Sequence, residues 1–266
     1  MIKLSYTTVM MARYLNFEES IELAKASGCA GIEFRTGSPP PYTFNHGVEL
    51  TLTPAERKQI RRKLEDNYLE LACLNTNYRF EFTDTELRRK DLENAKLECE
   101  LARDLGCTKI RVFGDSIRTE DAHECVAYVA ESINELAEYA DSVGIEVLLE
   151  MHGQFNFWGY ALEVMRLVNK PNLGILYNCD RRDIIKGSCL ATFRRVKDYV
   201  KHIHMHELYN GYPYVELFEE LIRIGYDGYL SAEIQETKEP TQVLTLHNIG
   251  TNALIEIARR NVACNG

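Results

Sequence analysis

The stretch LARDLGCTKIRVF, residues 101–113, decides the fold. It begins as the end of an amphipathic helix, passes through Gly106, and continues as an apolar run typical of a buried strand. Glycine often ends a helix because it adopts the left-handed conformation without a steric penalty. The stretch therefore predicts a helix that leads through a tight turn directly into a strand.

The same pattern recurs three more times along the chain. LAKASGCAGIEF, YADSVGIEVLLE and LIRIGYDGYLSAE place Gly28, Gly144 and Gly225 between a helix end and a strand. Successive strands begin roughly 30 to 40 residues apart, which is the length of one βα unit. We predict eight strands, over residues 2–7, 31–35, 69–76, 109–115, 145–152, 173–179, 200–206 and 229–234.

Regular alternation of strands and helices implies parallel strands joined by right-handed crossovers. We therefore predict an α/β fold, a single (β/α)8 TIM barrel domain over residues 1–266. A doubly wound open sheet is the alternative, but it usually carries a glycine-rich phosphate loop. Neither G-x-G-x-x-G nor G-x-x-x-x-G-K-[ST] occurs in the chain. The best-marked helix starts after Thr53, because Thr53-Pro54-Ala55-Glu56 forms a capping box.

The composition is that of a globular protein, with 45% hydrophobic and 27% charged residues among 266. A formal net charge of -9 argues against general affinity for nucleic acid or anionic membranes. No apolar run is long enough to span a bilayer. None of the eight cysteines forms a C-x-x-C pair, which favours buried thiols in a reducing compartment. We expect a cytoplasmic protein that acts on a small molecule and has neither a nucleic acid nor a membrane as a partner. The sequence is also compatible with a homo-oligomer.

In a TIM barrel the active site lies at the carboxyl ends of the strands. The last four predicted strands are apolar until their ends, where acidic, amide and imidazole side chains appear. Residues two apart on a strand share a face. The residues that share a face are Glu150 with His152, Asn178 with Asp180, and His202 with His204 and His206. Glu233 lies at the end of the eighth strand. Oxygen and nitrogen ligands without thiolates suit Mn²⁺, Mg²⁺, Co²⁺ or Zn²⁺.

These motifs give the chain a resemblance to the sugar phosphate isomerase/epimerase superfamily, the xylose isomerase-like TIM barrels. The similar segments are GIEFR, LNTNYRF, IRVFGD, VLLEMHG, LGILYNC, VKHIHMHE and GYDGYLSAE, in the right order over nearly the whole chain. The resemblance implies a divalent metal ion bound by Glu150, Asn178, His204 and Glu233. The family pattern has Asp at position 178, His at position 181 and His-x-Lys-Asp at the end of strand seven. This chain instead has Asn178, Arg181 and His206-Glu207.

The resemblance also implies an activity, that of a metal-dependent isomerase or epimerase of sugars or sugar derivatives. Such an enzyme removes a proton next to a carbonyl and passes through an enediolate. Glu150 and Glu233 are the expected catalytic bases, one on each side of the reacting carbon. The expected substrate-binding residues are His152, His206, Arg35, Arg79 and Arg111.

Alternatives remain open from the sequence alone. A lyase of the inosose dehydratase type would use the same proton abstraction, and a sugar-binding barrel with a degraded metal site would explain Asn178 and Arg181. Endonuclease-like hydrolysis of DNA is disfavoured by the acidic charge and the few additional metal ligands. The three arginines could instead pair with Glu33, Glu81 or Asp115, and Asp180 could replace Asn178 as a ligand. His202 is expected to be a buried core imidazole.

Overall fold

The computed structural model describes residues 2–38 and 43–265, so Met1, residues 39–42 and Gly266 of the predicted 1–266 domain lie outside it. Eight parallel strands form a closed barrel in chain order, and the eighth strand pairs with the first. This closure confirms the predicted (β/α)8 TIM barrel and excludes the doubly wound open sheet.

Each strand is followed by a helix on the outside of the barrel. The strands are β1 Lys3–Thr7, β2 Gly31–Arg35, β3 Glu70–Arg79, β4 Lys109–Phe113, β5 Glu146–Glu150, β6 Leu173–Asn178, β7 Val200–Met205 and β8 Tyr229–Ala232. The helices are α1 Phe17–Ala26, α2 Pro54–Asp66, α3 Thr85–Leu105, α4 Ala122–Ser142, α5 Trp158–Val168, α6 Leu190–Val196, α7 Tyr214–Arg223 and α8 Pro240–Asn265. All eight predicted strands are present, and only β3 extends well beyond its prediction, as far as Arg79.

The turns that the sequence marked have the expected geometry. The four glycines between helix and strand have positive φ angles between 71° and 80°, which L side chains rarely adopt. At the start of α2, Thr53 accepts a hydrogen bond from the Glu56 N–H, and the Glu56 carboxylate accepts one from the Thr53 N–H. Local signals therefore fix where these helices begin and end.

The buried side chains form two separate clusters. The larger one fills the layer between the strands and the helices. The smaller one contains Cys73, Leu148 and Leu176, which lie inside the barrel two residues before Asn75, Glu150 and Asn178 on their strands. The barrel interior is therefore closed by apolar side chains at its base and becomes polar toward the carboxyl ends of the strands, as expected for this architecture.

Two further features of the chain bear on its environment. Across residues 2–38 and 43–265, none of the helices combines the length and the apolar character that crossing a membrane requires. All eight cysteines fall within these residues and carry free thiols, seven of them buried and Cys264 exposed. The seven buried thiols thus pack as small apolar groups.

Replacing Glu98 by glutamine is expected to stabilise the protein above neutral pH. Glu98 lies on α3 with its side chain fully buried, where the Tyr78 hydroxyl is 3.3 Å from Oε1. Burial is the main reason that the pKa of Glu98 is raised from 4.5 to about 8. The folded protein therefore keeps a proton that the unfolded chain releases, and stability falls by about 3 kcal/mol as the pH rises from 5 to 8.

Urea unfolding at pH 6 and pH 8.5 measures this effect. The Glu98→Gln variant should lose less stability between the two pH values than the unmodified protein, because glutamine has no proton to release. Glu93→Gln is the matched control, since Glu93 lies on the same helix with an exposed side chain. An identical pH dependence in the Glu98→Gln variant and the unmodified protein would contradict the prediction.

Candidate active site

Three of the predicted ligands converge at the mouth of the barrel. Glu150 ends β5, His204 lies near the end of β7, and Glu233 directly follows β8. His204 Nδ1 is 3.5 Å from Glu150 Oε1 and 3.3 Å from Glu233 Oε2. One donor atom from each residue lies within 4.8 Å of the other two. Segments far apart in the sequence thus present two carboxylates to one imidazole nitrogen.

Both carboxylates are held in the ionised form. Arg111 Nη1 lies 2.6 Å from Glu150 Oε2, and both side chains are almost completely buried. Burial would raise the pKa of Glu150, but the charges of Arg111 and His204 lower it well below its usual value. For Glu233 burial again acts in the opposite sense, and the neighbouring imidazole of His204 lowers the pKa. At neutral pH both groups are therefore able to accept a proton.

Glu33 organises the layer below this group, a role that the sequence analysis did not assign to it. Its Oε2 atom accepts hydrogen bonds from Asn75 Nδ2 at 2.6 Å and from His204 Nε2 at 2.9 Å. Its Oε1 atom contacts His202 Nε2. Burial would raise the pKa of Glu33, but the two imidazoles lower it well below its usual value. The signal in the sequence was a single charge inside the otherwise apolar start of GIEFR.

This arrangement fits a divalent cation. Because Glu33 accepts the Nε2–H group of His204, Nδ1 is the nitrogen that faces the two carboxylates, and Nδ1 has no hydrogen-bond partner among the described residues. Burial alone would lower the pKa of His204, but the surrounding carboxylates raise it well above its usual value. Two facing carboxylates need positive charge between them, either a proton on His204 or a metal ion. Carboxylate oxygens with one imidazole nitrogen suit the metals named above.

Asn178, the fourth predicted ligand, adjoins this group but directs its oxygen away from it. The Oδ1 atom lies 2.7 Å from His206 Nε2, and Nδ2 lies 3.4 Å from Glu150 Oε1. His206 is fixed at its other nitrogen, because Nδ1 donates to the Glu233 carbonyl at 3.1 Å. His206 therefore contacts a predicted ligand as well as facing the mouth of the barrel.

The predicted substrate-binding arginines lie around one aromatic ring, with Arg35 and Arg79 at the ends of β2 and β3 and Arg111 in the middle of β4. The guanidinium carbons of Arg35, Arg79 and Arg111 are 5.5, 4.9 and 3.9 Å from the centroid of Phe113. Arg79 pairs with Asp115, and Arg111 pairs with Glu150 rather than with any of the three acids considered from the sequence. Phe113 thus serves as a flat support on which the three cations are arranged.

Asp115 connects this arginine group to His152. Asp115 Oδ1 is 2.6 Å from His152 Nδ1, and this hydrogen bond is the main cause of the raised pKa of His152 and the lowered pKa of Asp115. Asp115 has a backbone φ of 43°, which is uncommon outside glycine but is adopted by aspartate more often than by most residues. Gly153 permits the close approach, because a Cβ atom there would lie 2.5 Å from the Asp115 carbonyl oxygen.

The family follows from a match over most of the chain. A family model described as the xylose isomerase-like TIM barrel matches residues 21–249. The chain belongs to the xylose isomerase-like TIM barrel family. This membership confirms the resemblance inferred from the sequence motifs.

Individual relatives within and around this family are sugar-converting enzymes. Fructoselysine 3-epimerase from Escherichia coli O157:H7 is 23% identical over 243 residues, which are 83% of this chain and 86% of the relative. The 2-oxo-tetronate isomerase of Pectobacterium atrosepticum is 27% identical over 164 residues, 54% of this chain and 60% of the relative. The solved structure of an L-ribulose 3-epimerase has the same fold, with a TM-score of 0.82 at 16% identity, covering 100% of this chain and 98% of that one. The predicted enzyme class, isomerase or epimerase, is confirmed by these relatives.

The residues at and beside the positions that depart from the family pattern lie in different surroundings. Asp180 does not replace Asn178, because both its oxygens bind Arg182, at 3.0 Å from Nε and 2.5 Å from Nη2. Arg181, at the position of the family histidine, is exposed on the turn after β6. The third departure, His206 in place of the family lysine, directly contacts the first one, Asn178.

Proposed function

We propose that the protein is a metal-dependent isomerase or epimerase that moves a proton at the carbon next to the carbonyl of a sugar or sugar derivative. The observation that carries the proposal is the approach of two ionised carboxylates, from β5 and β8, to the same nitrogen of His204. Relatives named as 3-epimerases and isomerases support the same reaction class. We further propose a cytoplasmic location, in keeping with the eight free thiols.

Glu150, His204 and Glu233 would hold the cation. When bound, a divalent cation supplies positive charge that stabilises the negative charge developing on the substrate oxygens as the proton leaves. Asn178 would add a neutral oxygen if its amide turned by half a rotation, with its nitrogen then donating to His206. The ligand set would carry two negative charges, one fewer than the family pattern with Asp at position 178.

The proton steps are assigned to the chain's own carboxylates. One of Glu150 and Glu233 removes the proton from the substrate carbon, and the other returns one from the opposite face. Arg111 keeps Glu150 ionised and fixed in position, and His152, oriented by Asp115, lies beside the Phe113 ring, where it would bind a substrate oxygen. Opposite placement of the two bases is what inverts a stereocentre.

Deuterium exchange and metal analysis together test this function. The purified protein is analysed for bound metal and then incubated in D2O with a panel of keto sugars and keto sugar acids, with Mn²⁺, Zn²⁺, Co²⁺ or Mg²⁺. We expect bound metal and metal-dependent incorporation of deuterium next to the carbonyl, with formation of the isomer. Loss of water from the substrate would assign a lyase instead, and absence of both metal and exchange would assign a binding protein.

A further inference from the structure

Arg35 differs from the other two arginines of the barrel mouth in what surrounds it. It lies two residues after Glu33 on β2, and since Glu33 points into the barrel, Arg35 does so one layer nearer the mouth. Its guanidinium lies over Phe113 and contacts the side-chain oxygens of Asn77 and Ser38, which are neutral. Arg35 is only partly exposed, so water does not fully solvate its charge.

Arg35 forms no ion pair with a carboxylate in the described part of the chain. Within residues 2–38 and 43–265, no acidic side chain forms an ion pair with it, whereas Arg79 has Asp115 and Arg111 has Glu150. The segments outside these ranges, Met1, residues 39–42 and Gly266, contain neither Asp nor Glu. A partly buried cation is usually paired, so an unpaired one at a site mouth indicates an anionic ligand.

The charges around Arg35 also favour an anionic ligand beside it. Burial is the main cause of a lowered pKa for Arg35, and the neighbouring guanidinium of Arg111 lowers it further. The charges of Glu150 and Glu233 act in the opposite sense, but both carboxylates already face His204. An anion beside Arg35 would relieve the repulsion among the three guanidiniums.

We propose that Arg35 binds a carboxylate of the substrate, so that the substrate class is an acidic keto sugar rather than a neutral ketose. The proposal rests on the proposed function and deepens it. Charge counting favours a carboxylate over a phosphate, because only one guanidinium lacks a partner, and a planar carboxylate matches the two-pronged guanidinium. The distance between Arg35 and the carboxylate pair then sets which substrate carbon reacts.

Binding of compounds without a ketone or aldehyde group, which cannot react, tests the proposal independently of catalysis. Calorimetry on the full chain would compare the aldonates erythronate, arabinonate and gluconate with their polyols erythritol, arabinitol and glucitol, and with arabinitol 5-phosphate. We expect at least one aldonate to bind about 10- to 100-fold more tightly than its polyol. Arg35→Met should weaken binding of the acid far more than binding of the polyol and so remove this preference, and Arg35→Lys should keep part of it.

The matched control is Arg62→Met, which removes the same charge from the exposed face of α2 and should keep the full preference. Equal affinity for every acid and its polyol, or an equal loss for both in Arg35→Met, would overturn the proposal. Tighter Arg35-dependent binding of the phosphate than of arabinonate would overturn the assignment to a carboxylate. If the acids bind through Arg35 but no keto sugar exchanges deuterium, the proposed function fails and this inference stands.

Discussion

The Glu150→Gln and Glu233→Gln variants are expected to interconvert substrate epimers about a thousandfold more slowly than the unmodified protein. Each glutamine removes one of the two proposed bases while keeping the shape of the side chain, and loss of general base catalysis typically has this magnitude. The two variants should nevertheless behave differently from each other, because each proposed base faces only one side of the substrate carbon.

That difference gives the most informative measurement. In D2O, each variant should still exchange the proton of the epimer that faces the remaining carboxylate, so the two variants should exchange opposite epimers. Metal content is measured on the same samples, since glutamine is a weaker ligand than glutamate. The matched control is Glu146→Gln, at the other end of β5, where Glu146 pairs with Lys201 at 2.5 Å. Loss of exchange from both epimers in one variant alone would contradict a two-base mechanism.

The Glu33→Gln variant is expected to bind divalent cations about 10- to 100-fold more weakly. Glu33 is not one of the three proposed ligands, which are Glu150, His204 and Glu233. It binds Nε2 of His204 and so leaves Nδ1 free for the metal. Glu33 now accepts an N–H group from each of two imidazoles, His202 and His204. A glutamine would present its own NH₂ group to at least one of them, so the tautomer of His204 would no longer be fixed. Calorimetric titration with Mn²⁺ or Zn²⁺ measures the affinity, and nitrogen NMR of the imidazoles reports the tautomer.

A second variant separates orientation from general loss of stability. His202→Gln breaks the neighbouring contact to the same carboxylate but leaves the Glu33–His204 bond in place. It should therefore lower the free energy of unfolding while largely keeping the cation affinity. Equal weakening of metal binding in the two variants would contradict a positioning role for Glu33.

The barrel and the convergence of Glu150, His204 and Glu233 could be predicted from the sequence because both depend on local patterns. Alternation along a strand places Glu150 two residues after Leu148 and His204 two after His202, and closure of the barrel brings such strand ends together. No knowledge of individual contacts is needed for that step. The family resemblance then selected which of the polar strand ends would bind the metal.

The pairing of the charges could not be predicted in the same way. Glu33 and His204 are 171 residues apart, and Asp115, which has a positive φ, pairs with Arg79 from a different strand. Whether an arginine meets an acid or remains unpaired depends on side-chain rotamers and on the register of β3, which is irregular between Asn75 and Arg79. These contacts form only in the assembled barrel. From strand patterns alone, Glu33 was therefore considered as a partner of an arginine, whereas its partners are His202 and His204.

The contact between Asn178 and His206 has a consequence for how this barrel can change. Two of the substitutions that separate the chain from the usual family pattern touch each other at 2.7 Å, so they form one physical unit. A lysine introduced at 206 alone could donate a hydrogen bond to the Asn178 amide oxygen and hold it away from Glu150, and an aspartate introduced at 178 alone would share its oxygens with His206. The effects of evolutionary or engineered exchanges at 178 and 206 are therefore expected to depend on each other, because each changes the partner of the other.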